Sequence, residues 1–475
     1  MPWCEGQGDP HDPTMADSAP ANVRIITLGC AKNEVDSEEI AGVLRQAGHR
    51  LDGREPAEIT VINTCGFLES AQQESLRVIR QAVAEKGKGK VIVAGCLAQR
   101  LGEELARLAP GADAYIGVGQ MGRFDEIVQN VFGHTQPLMD VKPPHHRWAD
   151  IPTRTRSGRP WSAYLKVSEG CDHRCTFCTI PSFRGKHQSK PIERVVEEAR
   201  HLVKTGAKEL NLIAQDVTQY GYDLYREFTL PKLLRELNQV EGVEWIRLLY
   251  FYPNRLTDDV IEAMASLEKV VPYIDIPLQH VHPDVLRRMK RPWDGERYLK
   301  VFEKVRAAIP QVAIRTTFIV GFPGETEAEF QTLLDFTKAA RLDRVGAFTF
   351  SREPGTPSYE MTGQVPAQRK KERYDRLMRA QQPISLAKNR EWIGKPMRIL
   401  VDETRDGWVA GRSFRDAPEI DGWVYAQGEA EPGTFVDVTV TEGQMYDLIG
   451  HLEGAPVPGR RPMVPLQMVS GAAPK

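Results

Sequence analysis

The segment Ala163-Tyr164-Leu165-Lys166-Val167-Ser168-Glu169-Gly170-Cys171-Asp172-His173-Arg174-Cys175-Thr176-Phe177-Cys178 joins a short apolar run to three cysteines spaced within eight residues. The run reads as a β-strand, so the cysteines occupy the loop at its carboxyl end. Five more strand-like runs follow, at 210–213, 246–250, 273–276, 313–319 and 347–350, with helical periodicity between them. Strand and helix in alternation mean a parallel sheet covered by helices. Six such units are two short of a complete eight-fold barrel. The expectation is therefore an α/β chain with a partial (β/α)6, TIM-like barrel over residues 161–388, its functional loops at the carboxyl ends of the strands. Thr326 and Glu329 have the spacing of a capping box, and a long helix from 367 to 390 ends the barrel.

Towards the amino terminus the same alternation appears on a smaller scale. Runs at 23–28, 59–62, 91–94 and 114–116 predict an N-terminal parallel sheet domain over residues 22–133. Residues 134–160 lack periodicity and carry Pro-Pro and arginine clusters, so they read as a linker. The Pro, Gly, Asp and Ser-rich residues 1–21 read as a disordered leader, with Met15 an alternative start and Cys4 incidental. Past Gly394 short strands broken by Gly and Asp predict a small antiparallel β-barrel over 389–457, followed by a disordered tail, 458–475. The barrel module carries six basic and thirteen acidic side chains, a net charge of −7.

Composition narrows the function classes. A chain of 475 residues is about three domains of ~150 residues. Its 41% hydrophobic and 27% charged residues are those of ordinary globular protein. No stretch approaches the ~20 apolar residues of a membrane-spanning helix, so no membrane association is expected. With 62 Lys and Arg against 64 Asp and Glu there is no global basic excess to mark a nucleic-acid binder. Seven cysteines are too few to staple a chain this long, and no secretory signal opens it, which fits a reducing, cytoplasmic setting.

Three thiolates at Cys171, Cys175 and Cys178 can hold one face of a compact metal centre but cannot saturate a cubane, which takes four ligands. One iron would stay open. The competing reading is a structural zinc knuckle with His173 as fourth ligand, for which no second ligand pair lies nearby in sequence. Cys30, Cys65 and Cys96 each terminate a predicted strand of the first sheet. Parallel strands present their carboxyl ends on one edge, so these sulfurs could converge into a second three-cysteine site; three buried thiols acting as small hydrophobes is the alternative.

The Cys171-x3-Cys175-x2-Cys178 spacing resembles the signature of the radical S-adenosylmethionine superfamily. Together with Gly29-Cys30-Ala31-Lys32-Asn33, Asn63-Thr64-Cys65, Gly95-Cys96 and the terminal barrel, the chain resembles the methylthiotransferases over about residues 22–457. Pro277-Leu278-Gln279-His280, Ser351-Arg352-Glu353-Pro354-Gly355-Thr356 and Asp416-Ala417-Pro418-Glu419-Ile420-Asp421-Gly422 resemble the branch that modifies the β-carbon of an aspartate in the twelfth small-subunit ribosomal protein. Ala31 is a departure, since that branch often has proline there. A sister branch modifies tRNA adenosine.

The resemblance implies two 4Fe-4S clusters, one on each cysteine trio, and S-adenosyl-L-methionine chelated by its amine and carboxylate at the open iron beside Cys171, Cys175 and Cys178. The cluster there would cleave it to a radical that takes hydrogen from substrate carbon, and the other would present methylated sulfur. It further implies a TRAM-like terminal barrel, a ribosomal protein substrate met free or in the subunit, an electron donor and a sulfur donor. By the same resemblance Gln215, Gln279, Gly321 and Ser351 line the S-adenosylmethionine pocket. Trp293, Tyr250 and Tyr252 are candidates to stack on a substrate. Asp416, Glu419 and Asp421 are expected to form an acidic contact edge for the basic substrate.

Overall fold

The computed structural model describes residues 20–51, 57–146, 148 and 154–453; residues 1–19 of the expected leader and the whole expected tail lie outside these, while Ala21, expected in the leader, is buried in the first core. Its first sheet has five parallel strands, neighbours in chain order: Val23–Thr27, Ile59–Thr64, Lys90–Gly95, Ala114–Ile116 and Leu138–Asp140. The central strands are buried on both faces, which is why they read as continuous apolar runs rather than alternating ones. Ile40, Leu44, Ile127 and Val128, from helices Ala31–Gln46 and Phe124–Gly133, cover one face. Leu76, Ile79 and Leu105 cover the other.

The fifth strand lies within the stretch read as a linker. Leu138–Asp140 is a three-residue edge strand, half-exposed, paired to Ala114–Ile116 with Leu138 alone packed against the core. So short and exposed a strand needs no apolar pattern, and none is visible.

The six expected strands of the second unit are present as Ser162–Lys166, Glu209–Ile213, Trp245–Leu248, Tyr273–Asp275, Ala313–Val320 and Arg344–Thr349. They form two parallel three-stranded ladders that meet through the bridge between Ile246 and Val270. The capping box opens helix Glu327–Ala340, with both the Thr326 and Glu329 side chains engaged. Helix Ala367–Arg390 closes the unit, burying Leu377 in the barrel core and donating from Gln381 Nε2 to Leu342 O at 2.8 Å.

The terminal module is a closed barrel of Pro396–Arg405, Trp408–Ser413, Val424–Gln427, Leu448–Leu452 and Phe435–Gly443, in that spatial order. Four seams are antiparallel as expected; Val424–Gln427 and Leu448–Leu452 pair in parallel. A closed ring of five strands cannot alternate direction at every step, so one seam must break the rule.

Buried ion pairs fasten this barrel to the second unit. Glu209 accepts from Arg412 Nη1 at 2.6 Å and Arg247 Nε at 3.1 Å. Arg412 also reaches Asp402 Oδ2 at 2.7 Å. The expected acidic contact edge is corrected here. Asp416 is buried and pairs with Arg344 at 2.8 Å, and Asp421 accepts from Tyr273 and lies 3.5 Å from Arg315. Of the three acids only Glu419 is exposed. The DAPEIDG segment holds domains together, because its carboxylates meet arginines projecting from the last two strands of the partial barrel.

Candidate active site at a domain interface

The three N-terminal cysteines sit where three neighbouring strands end. Cys30 precedes helix Ala31–Gln46, Cys65 follows strand Ile59–Thr64, and Cys96 opens helix Cys96–Leu101. Register aligns them: Leu28 N donates to Asn63 O, and Thr64 pairs with Gly95. Glycine is required beside them. A Cβ on Gly29, at φ +98°, would lie 2.7 Å from Cys65 Cβ, and one on Gly95, at φ +96°, would lie 2.3 Å from Asn63 Oδ1. Asn33 ties the edge together, donating to Leu28 O at 2.7 Å and Thr64 O at 3.0 Å. Burial pushes the Cys96 thiol up to about 12, and proximity to Cys30 and Cys65 adds to this. Burial raises the Cys65 thiol as well, and thiols so disfavoured as anions need a cation or a cluster to hold them as thiolates.

The second trio lies on the loop after the first barrel strand, as expected from the sequence. Cys171 N donates to Gly185 O at 3.0 Å, while Thr176 anchors the loop through Met289 O at 3.1 Å and Arg288 O at 2.8 Å. Burial, then the neighbouring cysteines, pushes Cys178 up to about 12; Cys171 rises equally, by burial first. Arg291 lies 3.9 Å from Cys175 Sγ and 4.3 Å above the Tyr252 ring. His173, the ligand a zinc knuckle would enlist, stacks on Tyr252 at 3.5 Å and holds Asp216 at 2.7 Å.

A lone tetrahedral zinc would need its sulfurs within about 3.8 Å of one another. Among the described residues only His282, Asp284 and Glu329 bring three ligand atoms within 4.8 Å, and Glu329 is engaged by Arg288 and the helix cap. Neither cysteine trio is drawn that tightly. All-thiolate sets held more widely, with a fourth position open, fit iron–sulfur clusters.

Three family models match the chain: the radical SAM superfamily over residues 165–337, the uncharacterized protein family UPF0004 over 22–117 and the TRAM domain over 393–452. The ribosomal protein uS12 methylthiotransferase RimO of Moorella thermoacetica is 48% identical over 435 residues, covering 91% of this chain and 99% of that one. The protein of the same name from a Synechococcus species is 42% identical over 466 residues, covering 94% and 96%. The chain belongs to the RimO methylthiotransferase family. The solved structure of TsrM, a radical S-adenosylmethionine methyltransferase from Kitasatospora setae with cobalamin and a 4Fe-4S cluster bound, shares the fold. Its TM-score is 0.54 at 14% identity, over 71% of this chain and 74% of that chain.

What joins the two trios in this RimO-family chain was not legible in the sequence. Arg184, six residues past Cys178, donates from Nε to Cys96 Sγ at 3.1 Å and from Nη2 to Asn33 Oδ1 at 2.6 Å. Its Nη1 meets Asp36 at 2.8 Å and Glu169 at 3.0 Å. Lys166 lies 2.5 Å from Asp36, 3.3 Å from Glu39 and 3.4 Å from Glu169. Burial alone would raise the Glu169 carboxyl, yet Arg184 and Lys166 hold it well below the usual range. Three acids and two cations thus form a buried network across the domain interface. Glu169 stands in the quoted Cys171 stretch and Asp36 three residues past Asn33, but nothing in their spacing says that they meet.

The residues expected to line an S-adenosylmethionine pocket have separate settings. Gln215 donates to Glu169 Oε1 at 2.6 Å, joining the network behind the Cys171 loop. Gln279, at φ +72°, lies four residues past the fourth barrel strand and bridges to Phe318 of the fifth. Gly321 and Phe322 give their amides to Glu325, which burial pushes up to about 7. Ser351 donates to Glu353 at 2.7 Å, and Glu353 in turn accepts from Glu69 N at 2.8 Å and from Arg100 at 3.1 Å. The Ser351–Thr356 motif is therefore committed to a second clasp between the domains. Trp293 packs 6.0 Å from Tyr298, and Tyr250 lies beneath Lys32.

Proposed function

We propose that this chain adds a methylthio group to the β-carbon of an aspartate in ribosomal protein uS12. The observation that supports it most is the Arg184 bridge, which ties the loop of one cysteine trio to a sulfur of the other. Chemistry at an unactivated carbon exceeds what side-chain acids and bases can do. When bound, the two clusters supply radical formation from S-adenosylmethionine and a site for sulfur, respectively. Cys171, Cys175 and Cys178 would hold the first, and Cys30, Cys65 and Cys96 the second. The chain's own residues fix the distance between them. Arg184, Lys166 and their acids lock one side of the interface, and Arg100 with Glu353 locks another.

Gln215, Gln279 and Gly321 remain the proposed cofactor-pocket residues, at the carboxyl ends of barrel strands where such pockets form. Ser351 is proposed to act through Glu353. An electron donor and a sulfur donor are needed as partners, and the setting is the cytoplasm. No helix among the described residues is long and apolar enough to cross a membrane. The test is anaerobic incubation of reconstituted enzyme with separated tRNA and small-subunit proteins, followed by mass analysis of both. A methylthio mass gain on the uS12 aspartate is expected. Modification of tRNA instead would overturn the reading.

Hydrogen bonds to a cluster's sulfurs raise its reduction potential. Arg184→Lys, which keeps the charge but loses the Nε geometry, is therefore expected to lower the potential of the cluster on Cys96, measured by redox titration with EPR detection. Iron content should stay unchanged. An unaltered potential would mean that this hydrogen bond has no electronic effect.

A second prediction concerns the clasp. Arg100→Ala leaves Glu353 without its cation and is expected to uncouple the two chemistries: S-adenosylmethionine is still cleaved, but methylthiolated product per cleavage falls. Simultaneous measurement of 5′-deoxyadenosine and product checks this.

A further inference from the structure

Buried cations around the two cysteine trios are paired. Lys166 has Asp36, Glu39 and Glu169; Arg184 has Asp36 and Glu169; Arg154 has Glu38 and Glu198; Lys190 has Glu198. Lys32 is the exception among the buried lysines. It is two residues past Cys30, only 9% exposed, and among the described residues no carboxylate pairs with it. Its Nζ sits 3.4 Å from the centroid of the Tyr250 ring. Such a contact returns only part of what withdrawing an ammonium from water costs. A cation held in this way is incomplete without an anion.

Its surroundings say where that anion comes from. Tyr250 stands at the carboxyl end of the third barrel strand, where barrel enzymes bind what they transform. Its φ of +66° is a conformation that bulky side chains rarely adopt, and its amide is fixed to Asp275 Oδ2 at 3.1 Å. Lys32 therefore projects from the Cys30 loop over a rigidly held platform at the barrel mouth. It touches both halves of the proposed active site.

We propose that Lys32 is the specificity-determining cation of the substrate site, pairing with the side-chain carboxylate of the target aspartate. This rests on the proposed uS12 reading. The carbon to be modified is bonded directly to that carboxylate, so a cation fixing the carboxylate fixes the reacting carbon one bond away, beside Cys30. Asparagine has nearly the same shape but no charge, and it would leave Lys32 buried and uncompensated. The site therefore selects aspartate chiefly by the cost of the alternative.

The test uses reconstituted holoenzyme without reductant, so that binding is read apart from turnover. Dissociation constants are measured for uS12 and for uS12 carrying Asp→Asn at the target position, with wild-type enzyme, Lys32→Gln and Lys32→Arg. Wild type is expected to favour the aspartate form by about tenfold or more. Lys32→Gln should bind both forms alike, with the dissociation constant for uS12 raised about tenfold or more and iron content normal. Lys32→Arg should keep the preference. Equal affinities on wild type, or an undiminished preference in Lys32→Gln, would overturn the proposal while leaving the uS12 reading intact. Wild-type enzyme that binds neither form would overturn both. A merely structural lysine would weaken both forms equally and leave their ratio untouched.

Discussion

Cys175→Ala is expected to abolish reductive cleavage of S-adenosylmethionine, whereas Cys96→Ala should leave that cleavage running and stop methylthio transfer. The division follows from where each trio is anchored. The Cys171–Cys178 loop hangs on Gly185, Arg288 and Met289, all within the partial barrel. Cys30, Cys65 and Cys96 hang on the edge of the first sheet through Asn33, Asn63 and Thr64. Separate scaffolds let each cluster assemble without the other, so iron should fall by about half in either variant from about eight per chain. Chemical iron analysis and anaerobic assay of 5′-deoxyadenosine check both parts. Undiminished 5′-deoxyadenosine from Cys175→Ala would refute the assignment, and a colourless, zinc-containing wild type would refute the clusters altogether.

Glu209→Ala should be among the most destabilising single substitutions in this chain. Its carboxylate is fully buried between Arg412 and Arg247 and also accepts from Ser162 Oγ at 2.8 Å. Removing it strands two guanidinium groups in the interior. Breaking one buried pair in this way costs about 3–5 kcal/mol, a large part of the ~5–15 kcal/mol that holds a domain folded. Burial would raise the Glu209 carboxyl, but Arg412 and Arg247 hold it at about 2, below its ordinary 4.5. A carboxyl depressed in the folded state adds stability that is complete above pH 4.5 and disappears as pH falls through about 2. Wild type should therefore lose its terminal barrel in that acid window, while Glu209→Ala should release it at neutral pH. Limited proteolysis with mass detection of the barrel fragment reads both; a variant as resistant as wild type at neutral pH would show that the barrel docks by other contacts. Asp416→Lys belongs with this substitution rather than with surface charge reversals, because it sets a lysine against buried Arg344. Glu419, being exposed, is the residue at which steering of a basic substrate is open to charge reversal.

Six barrel strands and the strand-end positions of all six cysteines were legible in the sequence because each signal is local. An apolar run flanked by turn residues declares a strand over a handful of positions. Three cysteines in eight residues cannot be far apart in any fold, and the repeated cysteine beside a glycine at a strand end placed Cys30, Cys65 and Cys96 on one edge because parallel strands end together. The Leu138–Asp140 strand escaped because three half-exposed residues, with Leu138 alone packed on the core, are too few to leave such a pattern.

Charge was the least legible property. A count of −7 over the terminal module treats every acid alike, yet Asp402, Asp416 and Asp421 are spent on Arg412, Arg344, Arg315 and Tyr273. An aspartate paired in the interior and one solvated at the surface are the same letter.

The sequence by itself determined the α/β architecture with its terminal barrel and the placing of two cysteine trios at strand ends. Only the tertiary structure decided that Arg184 reaches Cys96 across 88 positions, that Lys166 reaches Asp36 across 130 and that Arg412 reaches Glu209 across 203. Strand and loop propensities act over a few residues and write themselves into spacing. Ion pairs form between whichever side chains packing brings within a few ångströms, and packing depends on the whole chain at once.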